Sequence, residues 1–337
     1  MSSRLHGHSF SAISKAVTGR PDTSALSTEE SPALDVVIDT DIGTDVDDAY
    51  AVLLAFSSPE LNVRGLTIVH GDVGLRAKIA AKLLKLAGRA DITLALGERS
   101  PMRPDRPITW LGHEGRGLDF SDVEDLTPAK EHGAGFIART ADEHAGGVTL
   151  ITIGPLTNAG VLVRDFPREA SKLRGIVAMA STFNGFGSES AGREHNASVD
   201  PEAMELVFQS GVPTLIVGLN VTLQTALNRS HLAQIGASGT SLSRLMVYMT
   251  EEWLRVIDRD VAYMHDPLAV AASFDAAVVT TIPVTPEVSK ERAGFVAYHE
   301  AGTESPVRIC TAVDTARFDQ LFYSRILRAV ANERGCQ

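Results

Sequence analysis

The chain has 337 residues, enough for one large α/β domain or two modest ones. At 44% hydrophobic and 22% charged it can bury a sizeable core, which excludes disorder of the whole chain. Its net charge of −11, with no cluster of Lys and Arg, excludes a surface built to hold nucleic-acid phosphates. The two cysteines, Cys310 and Cys336, cannot make a disulfide framework and read as free thiols.

Residues 1–33 are rich in Ser, Thr, Gly and His and lack both a period and the apolar core of a secretory signal, so a disordered extension is expected there. No later run approaches the ~20 apolar residues that span a bilayer, so no membrane partner and a cytoplasmic location are expected. From Leu34 onward, short β-branched runs alternate with longer amphipathic ones, the pattern of βαβ units on a mostly parallel sheet. The strands read as Leu34–Ile38, Val63–Val69, Ile92–Ala95, Thr149–Ile153, Ile176–Ala180 and Thr214–Val217, with short β segments at Phe295–Tyr298 and Val307–Cys310. Helices read as Asp47–Phe56, Leu75–Ala87, Gly133–Glu143, a stretch after Pro155, Pro201–Gln209, Ser241–Asp258, Asp266–Phe274 and Thr315–Ala331. Between them, Gly97–His132 is a long loop with several prolines, and a glycine-rich loop ends at Val199. With no internal repeat or linker, 34–337 reads as a single domain.

Four segments carry chemistry. The first is DTDIGTDVDD, Asp39 to Asp48, which packs five carboxylates into ten residues directly after the first strand. Loops at the carboxyl ends of parallel strands form the ligand crevice. Carboxylates that close repel unless a positive charge neutralises them, and oxygen ligands suit a hard cation such as calcium or magnesium. The same letters also suit a helix N-terminus, where Asp47 and Asp48 would meet the positive end of the dipole. An EF-hand loop fails, since Thr44 and Tyr50 stand where Gly and an acid are needed. A haloacid-dehalogenase-type phosphatase with Asp39 as nucleophile is the alternative enzyme, although Gly43 fills the place of its threonine.

The second segment, His265-Asp266-Pro267, can cap a helix or aim an imidazole and another carboxylate at the crevice. The third, Gly154-Pro155-Leu156-Thr157-Asn158, is a turn able to present backbone carbonyls. The fourth joins Glu194-His195-Asn196 to Asp200-Pro201, with Glu194 and Asn196 able to hydrogen-bond sugar hydroxyls.

In this order, from about Leu34 to Ala331, the four segments resemble the inosine-uridine-preferring nucleoside hydrolase family. That resemblance implies a three-layer α/β fold with a Rossmann-like core. It implies hydrolysis of the N-glycosidic bond of ribonucleosides to free base and ribose, a place in nucleoside salvage, and a homodimer or homotetramer. One Ca²⁺ would be held by Asp41, Asp48, the Ile153 carbonyl and Asp266. Asp47, Glu194 and Asn196 would grip the ribose. Asp41 would take the proton of a calcium-held water attacking the anomeric carbon, and His265 would protonate the departing base. Asp72 stands where the family commonly has Asn, Ser188 near a 5′-hydroxyl contact, and His195 where Phe is usual. Tyr263 is a candidate to stack on the base, His113 to cover the pocket, and a non-catalytic calcium-dependent nucleoside binder is the further alternative. The aspartate loop is two residues longer than the best-known pattern, which leaves Asp45 without a role.

Overall fold

The computed structural model describes residues 32–108, 110–183, 193–289, 292 and 294–332. Val36, Val37 and Ile38 of strand β1 (Leu34–Thr40) have no solvent exposure, and Asp39 and Thr40 after them are as deeply buried. A strand buried on both faces belongs in the middle of a parallel sheet. Around it stand β2 (Leu61–Ile68), β3 (Leu94–Leu96), β4 (Val148–Thr152), β5 (Gly175–Met179), β6 (Thr182–Phe183), β7 (Thr214–Val217), β8 (Ala226–Asn228), β9 (Val261–Tyr263), β10 (Val279–Val288), β11 (Phe295–Glu300) and β12 (Val307–Val313). Ten strands form one sheet in the order β3-β2-β1-β4-β5-β7-β12-β10-β11-β6, while β8 and β9 pair as a separate ribbon. From β3 to β12 all neighbours are parallel, and β10 turns the sheet antiparallel against both β12 and β11.

Alternation along β1 divides the core. Val36 and Ile38 join one apolar cluster and Val37 the other, on opposite sheet faces, which gives three layers. Helix Asp47–Phe56 is buried at every residue because helices His265–Phe274 and Thr315–Ala331 pack on it from outside. Register brings the carboxyl ends of the central strands level: Ile38 faces Ile151, Thr152 faces Ala178, and Met179 faces Val217. The turns that follow β1, β4 and β5 therefore open onto one crevice.

Most expected elements are present with ends moved by a few residues. The ten-residue β10 was not expected, because Pro283 and Pro286 make its sequence read as loop. Helices Thr157–Asp165 and Pro167–Ala170 follow Pro155, and the glycine-rich loop closes with a short helix, His195–Val199. Gly97–His132 carries only the 3₁₀ turn Ser121–Val123 among its described residues. Of the extension, nearly all lies outside the described residues. No helix among the described residues is long and apolar enough to cross a membrane.

Helix Thr157–Asp165 approaches helix Pro201–Gln209 closely at Gly160, where an added Cβ would stand 2.7 Å from Ala203 Cβ and 2.8 Å from its Cα. Gly160→Ala is expected to destabilise the fold by about 1–3 kcal/mol through overpacking, read by urea denaturation; an unchanged midpoint would refute the contact.

Candidate active site

Thr40 ends β1 and begins the aspartate turn: its hydroxyl donates to Asp48 Oδ1 (2.5 Å) and accepts from the Ile42 N–H (3.0 Å). Asp45 Oδ1 accepts from the N–H of Val46 (2.6 Å) and so closes the turn just before helix Asp47–Phe56. This gives Asp45 a local role that the sequence reading lacked. From the far end of the chain, the Asp266 N–H donates to Asp47 Oδ2 (3.2 Å), across 219 positions. Carboxylate oxygens of Asp47, Asp48 and Asp266 all lie within 4.8 Å of one another, and each residue is 3–4% exposed. Burial, then repulsion from neighbouring carboxylates, pushes all three well above the usual carboxylate range.

Asp41 differs from them. Burial alone would raise it, but the Arg76 guanidinium (Nη2 to Oδ2 3.7 Å) and His195 (Nε2 to Oδ2 3.7 Å) hold its carboxyl below the ordinary value. His195 is drawn upward in return: burial lowers it, and the Asp41 carboxylate outweighs that. His70 meets the His195 ring edge-on, with centroids 5.6 Å apart.

Asp41, Asp45, Asp47, Asp48, His195 and Asp266 line a pocket of about 550 Å³ that also takes in Thr44, Ile153, Glu194, Asn196, Tyr263 and His265. Asn196 Nδ2 donates to the Ile153 carbonyl (2.8 Å) and to that of Met179 (3.0 Å), tying the ends of β4 and β5 together. One lone pair of the Ile153 carbonyl remains for another partner. Glu194 caps the helix that follows: Oε1 accepts from Asn196 N and Oε2 from Ser181 N and Ala197 N, each at 2.7 Å. His265 Nδ1 pairs with Thr222 Oγ1 (2.7 Å), and burial pushes the imidazole down to about 4.

Asp72 stands apart. It caps helix Val73–Leu86 through the Leu75 N–H (3.0 Å) and does not line this pocket. His113 stacks on Trp253 (5.7 Å between centroids) and its Nε2 pairs with the Thr44 carbonyl (2.8 Å), so it reaches the pocket through its neighbours. Ser188 lies outside the described residues.

The fit to a hard cation follows from the donor set. Three buried carboxylates offer oxygen ligands, and among the described residues neither Cys nor His joins the cluster, as zinc would favour. Asp39 cannot serve as a nucleophile: it is wholly buried, with Oδ1 accepting from Thr67 Oγ1 (2.6 Å) and Asn158 Nδ2 (2.7 Å). This removes the structural basis of the phosphatase alternative.

A parallel sheet with an acid-lined crevice at its carboxyl edge defines the class, an α/β enzyme with a candidate metal site. The family model for inosine-uridine preferring nucleoside hydrolase matches residues 36–320, and the chain belongs to that family, whose members are nucleoside hydrolases that cleave N-glycosidic bonds. Uridine nucleosidase 1 of Arabidopsis thaliana is 33% identical over 248 residues, 70% of this chain and 73% of that protein. The pyrimidine-specific ribonucleoside hydrolase RihA of Salmonella arizonae is 32% identical over 261 residues, 74% of this chain and 82% of its own. Among solved structures, the purine-preferring ribonucleoside hydrolase from Gardnerella vaginalis superposes with a TM-score of 0.78 at 26% identity, over 88% of this chain and 99% of that one.

Sequence reasoning missed Arg76, Thr40, Thr222 and the Asp39–Asn158 pair. Arg76 sits in an amphipathic helix among other cations, where nothing in the letters separates a buried arginine from a solvated one. Asp39 supplies a pH test. Burial raises its carboxyl to about 7 against hydrogen bonds from Thr67 and Asn158, and its Oδ2 has no partner among the described residues. Between its ordinary value and about 7 the folded chain binds a proton there that the unfolded chain has lost. Its stabilising contribution is therefore full at the acid end and disappears as pH rises through about 7. Metal-free wild type should lose stability relative to Asp39→Asn between about pH 4 and pH 7; parallel denaturation curves across that range would contradict it.

Proposed function

We propose that this chain is a calcium-dependent ribonucleoside hydrolase in which Asp41 accepts the proton of the attacking water and His265 serves the departing base. What carries the reading is the meeting of Asp47, Asp48 and Asp266 in one buried cluster beside the ionised Asp41. Asp41, Asp48, Asp266 and the Ile153 carbonyl would hold the ion. When bound, calcium would position the water and lower its pKa.

The chain's own groups account for the rest. Asp41, kept ionised by Arg76 and His195, is a base ready at neutral pH, close to the oxocarbenium character that builds at the anomeric carbon. Asp47, Asn196 and Glu194 stand on the pocket wall to take ribose hydroxyls; Asn196 offers its Oδ1, since its amide nitrogen already serves two carbonyls. Burial keeps His265 neutral at pH 7, so it acts as a neutral donor: in the tautomer where Thr222 donates to Nδ1, Nε2–H is left for the base. Tyr263, whose ring centroid is 5.6 Å from that of His265, borders the same region and can stack on the base. Ser188 keeps its proposed contact with the 5′ hydroxyl, whereas Asp72, which caps a helix away from the pocket, takes no part in the sugar site. A cytoplasmic homodimer or homotetramer, with 34–337 as the catalytic domain and 1–33 as an extension, belongs to the same proposal.

Uridine is the first substrate to try, because the plant and Salmonella relatives are a uridine nucleosidase and a pyrimidine-specific hydrolase. A panel of ribonucleosides read by chromatography should show free base and ribose, with activity lost on chelation and restored by calcium. Ligand binding without turnover across the panel would select a non-catalytic binder. Asp41→Asn should lower kcat by about 10²–10⁴-fold with the fold intact, and His265→Ala by about 10²-fold or more. Turnover by Asp41→Asn at the wild-type rate would remove Asp41 from its role.

A further inference from the structure

A buried cation beside the site is Arg76, one of the largest fully buried side chains among the described residues. Its Nε donates to the His70 carbonyl (2.7 Å), Nη1 to the carbonyls of Asp41 and Ile42 (3.0 Å to the latter), and Nη2 to Thr44 Oγ1 (3.1 Å). The guanidinium therefore threads the turn that carries Asp41 and the loop residues that follow it. Its other face meets the Trp110 ring, with the guanidinium carbon 5.1 Å from the centroid.

Thr44 passes the connection onward. Its hydroxyl donates to Glu114 Oε1 (3.1 Å), and its carbonyl pairs with His113 Nε2 (2.8 Å). Glu114 in turn accepts the N–H groups of Leu111 (3.0 Å) and Gly112 (2.7 Å), and Leu111 lines the pocket. A planar fork can serve several carbonyl and hydroxyl oxygens at fixed angles at once, which a lysine ammonium cannot. Resting on the calcium-dependent reading above, we propose that Arg76 is a positioning residue: it holds the lengthened aspartate turn in its metal-binding shape and, through Thr44, seats the segment from Trp110 to Glu114 over the pocket.

This assigns a purpose to the turn's extra length. Thr44 reaches the covering segment while Asp47 and Asp48 stay in the cluster and Asp41 beside it. Direct charge compensation is the competing role for Arg76, and lysine separates the two, since it keeps a cation but loses the fork.

The test uses the full chain and two variants, Arg76→Lys and Thr44→Val. Calcium affinity is measured by isothermal titration calorimetry, turnover by steady-state kinetics, and seating of the segment by the rate of chymotryptic cleavage after Trp110 in metal-free protein. For Arg76→Lys with unchanged circular dichroism, calcium binding should weaken by about 10–100-fold, as when other supporting partners of metal ligands are removed. Its kcat should fall while the nucleoside KM changes little, and cleavage should quicken several-fold. Thr44→Val should share the faster cleavage with a smaller loss of calcium affinity. A folded Arg76→Lys with wild-type calcium affinity and cleavage rate would overturn the proposal. Should that variant not fold, Thr44→Val decides: wild-type values in both assays would overturn it, and faster cleavage with weaker calcium binding would sustain it. If the wild type neither binds calcium nor hydrolyses nucleosides, the functional reading fails, whereas the metal-free cleavage rates still report on Arg76.

Discussion

Negative charge gathered in a dry place is the constraint on which this structure depends. Asp41, Asp47, Asp48 and Asp266 are each 3–6% exposed at the floor of one pocket. Buried like charges are costly, and a chain can meet the cost by protonation, by internal cations or by binding an ion. Arg76 and His195 are enough to hold Asp41 below its ordinary value, while Asp48, which also feels Arg76, and the other two carboxyls are driven toward the protonated state. That asymmetry leaves one ionised base beside a cluster whose oxygens suit a hard cation, a division of labour that suits water activation.

The fold supplies the place rather than the chemistry. Parallel strands ending at one level bring the turn after β1, the Ile153 carbonyl after β4 and Asn196 near β5 to a common edge. Asp266 arrives at the start of a helix packed on Asp47–Phe56, so the apolar contact between these two helices sets the spacing of the carboxylates they carry. A large-to-small change between those helices would be felt in the cluster as well as in the core.

Much of this was legible in the letters. Five aspartates in ten residues after a β-branched run, and a His-Asp-Pro at a helix start, mark the two halves of the site because charge density and capping chemistry are local properties. The alternation of strand and helix patterns likewise announced the parallel sheet. What stayed hidden depends on distant packing. Arg76 reads as one more helix cation until the turn closes over it. Asp39 reads as a candidate nucleophile until Thr67 and Asn158 enclose it, and Asp72 as a sugar contact until it is seen capping a helix. β10 was obscured by its two prolines.

Calcium titration of the chelator-stripped wild-type chain by calorimetry, alongside Asp266→Asn, bears most directly on the central claim. The account predicts one ion per chain for the wild type, with heat that collapses in the variant while its circular dichroism stays native. Absence of calcium binding by the wild type, or equal binding by Asp266→Asn, would contradict it.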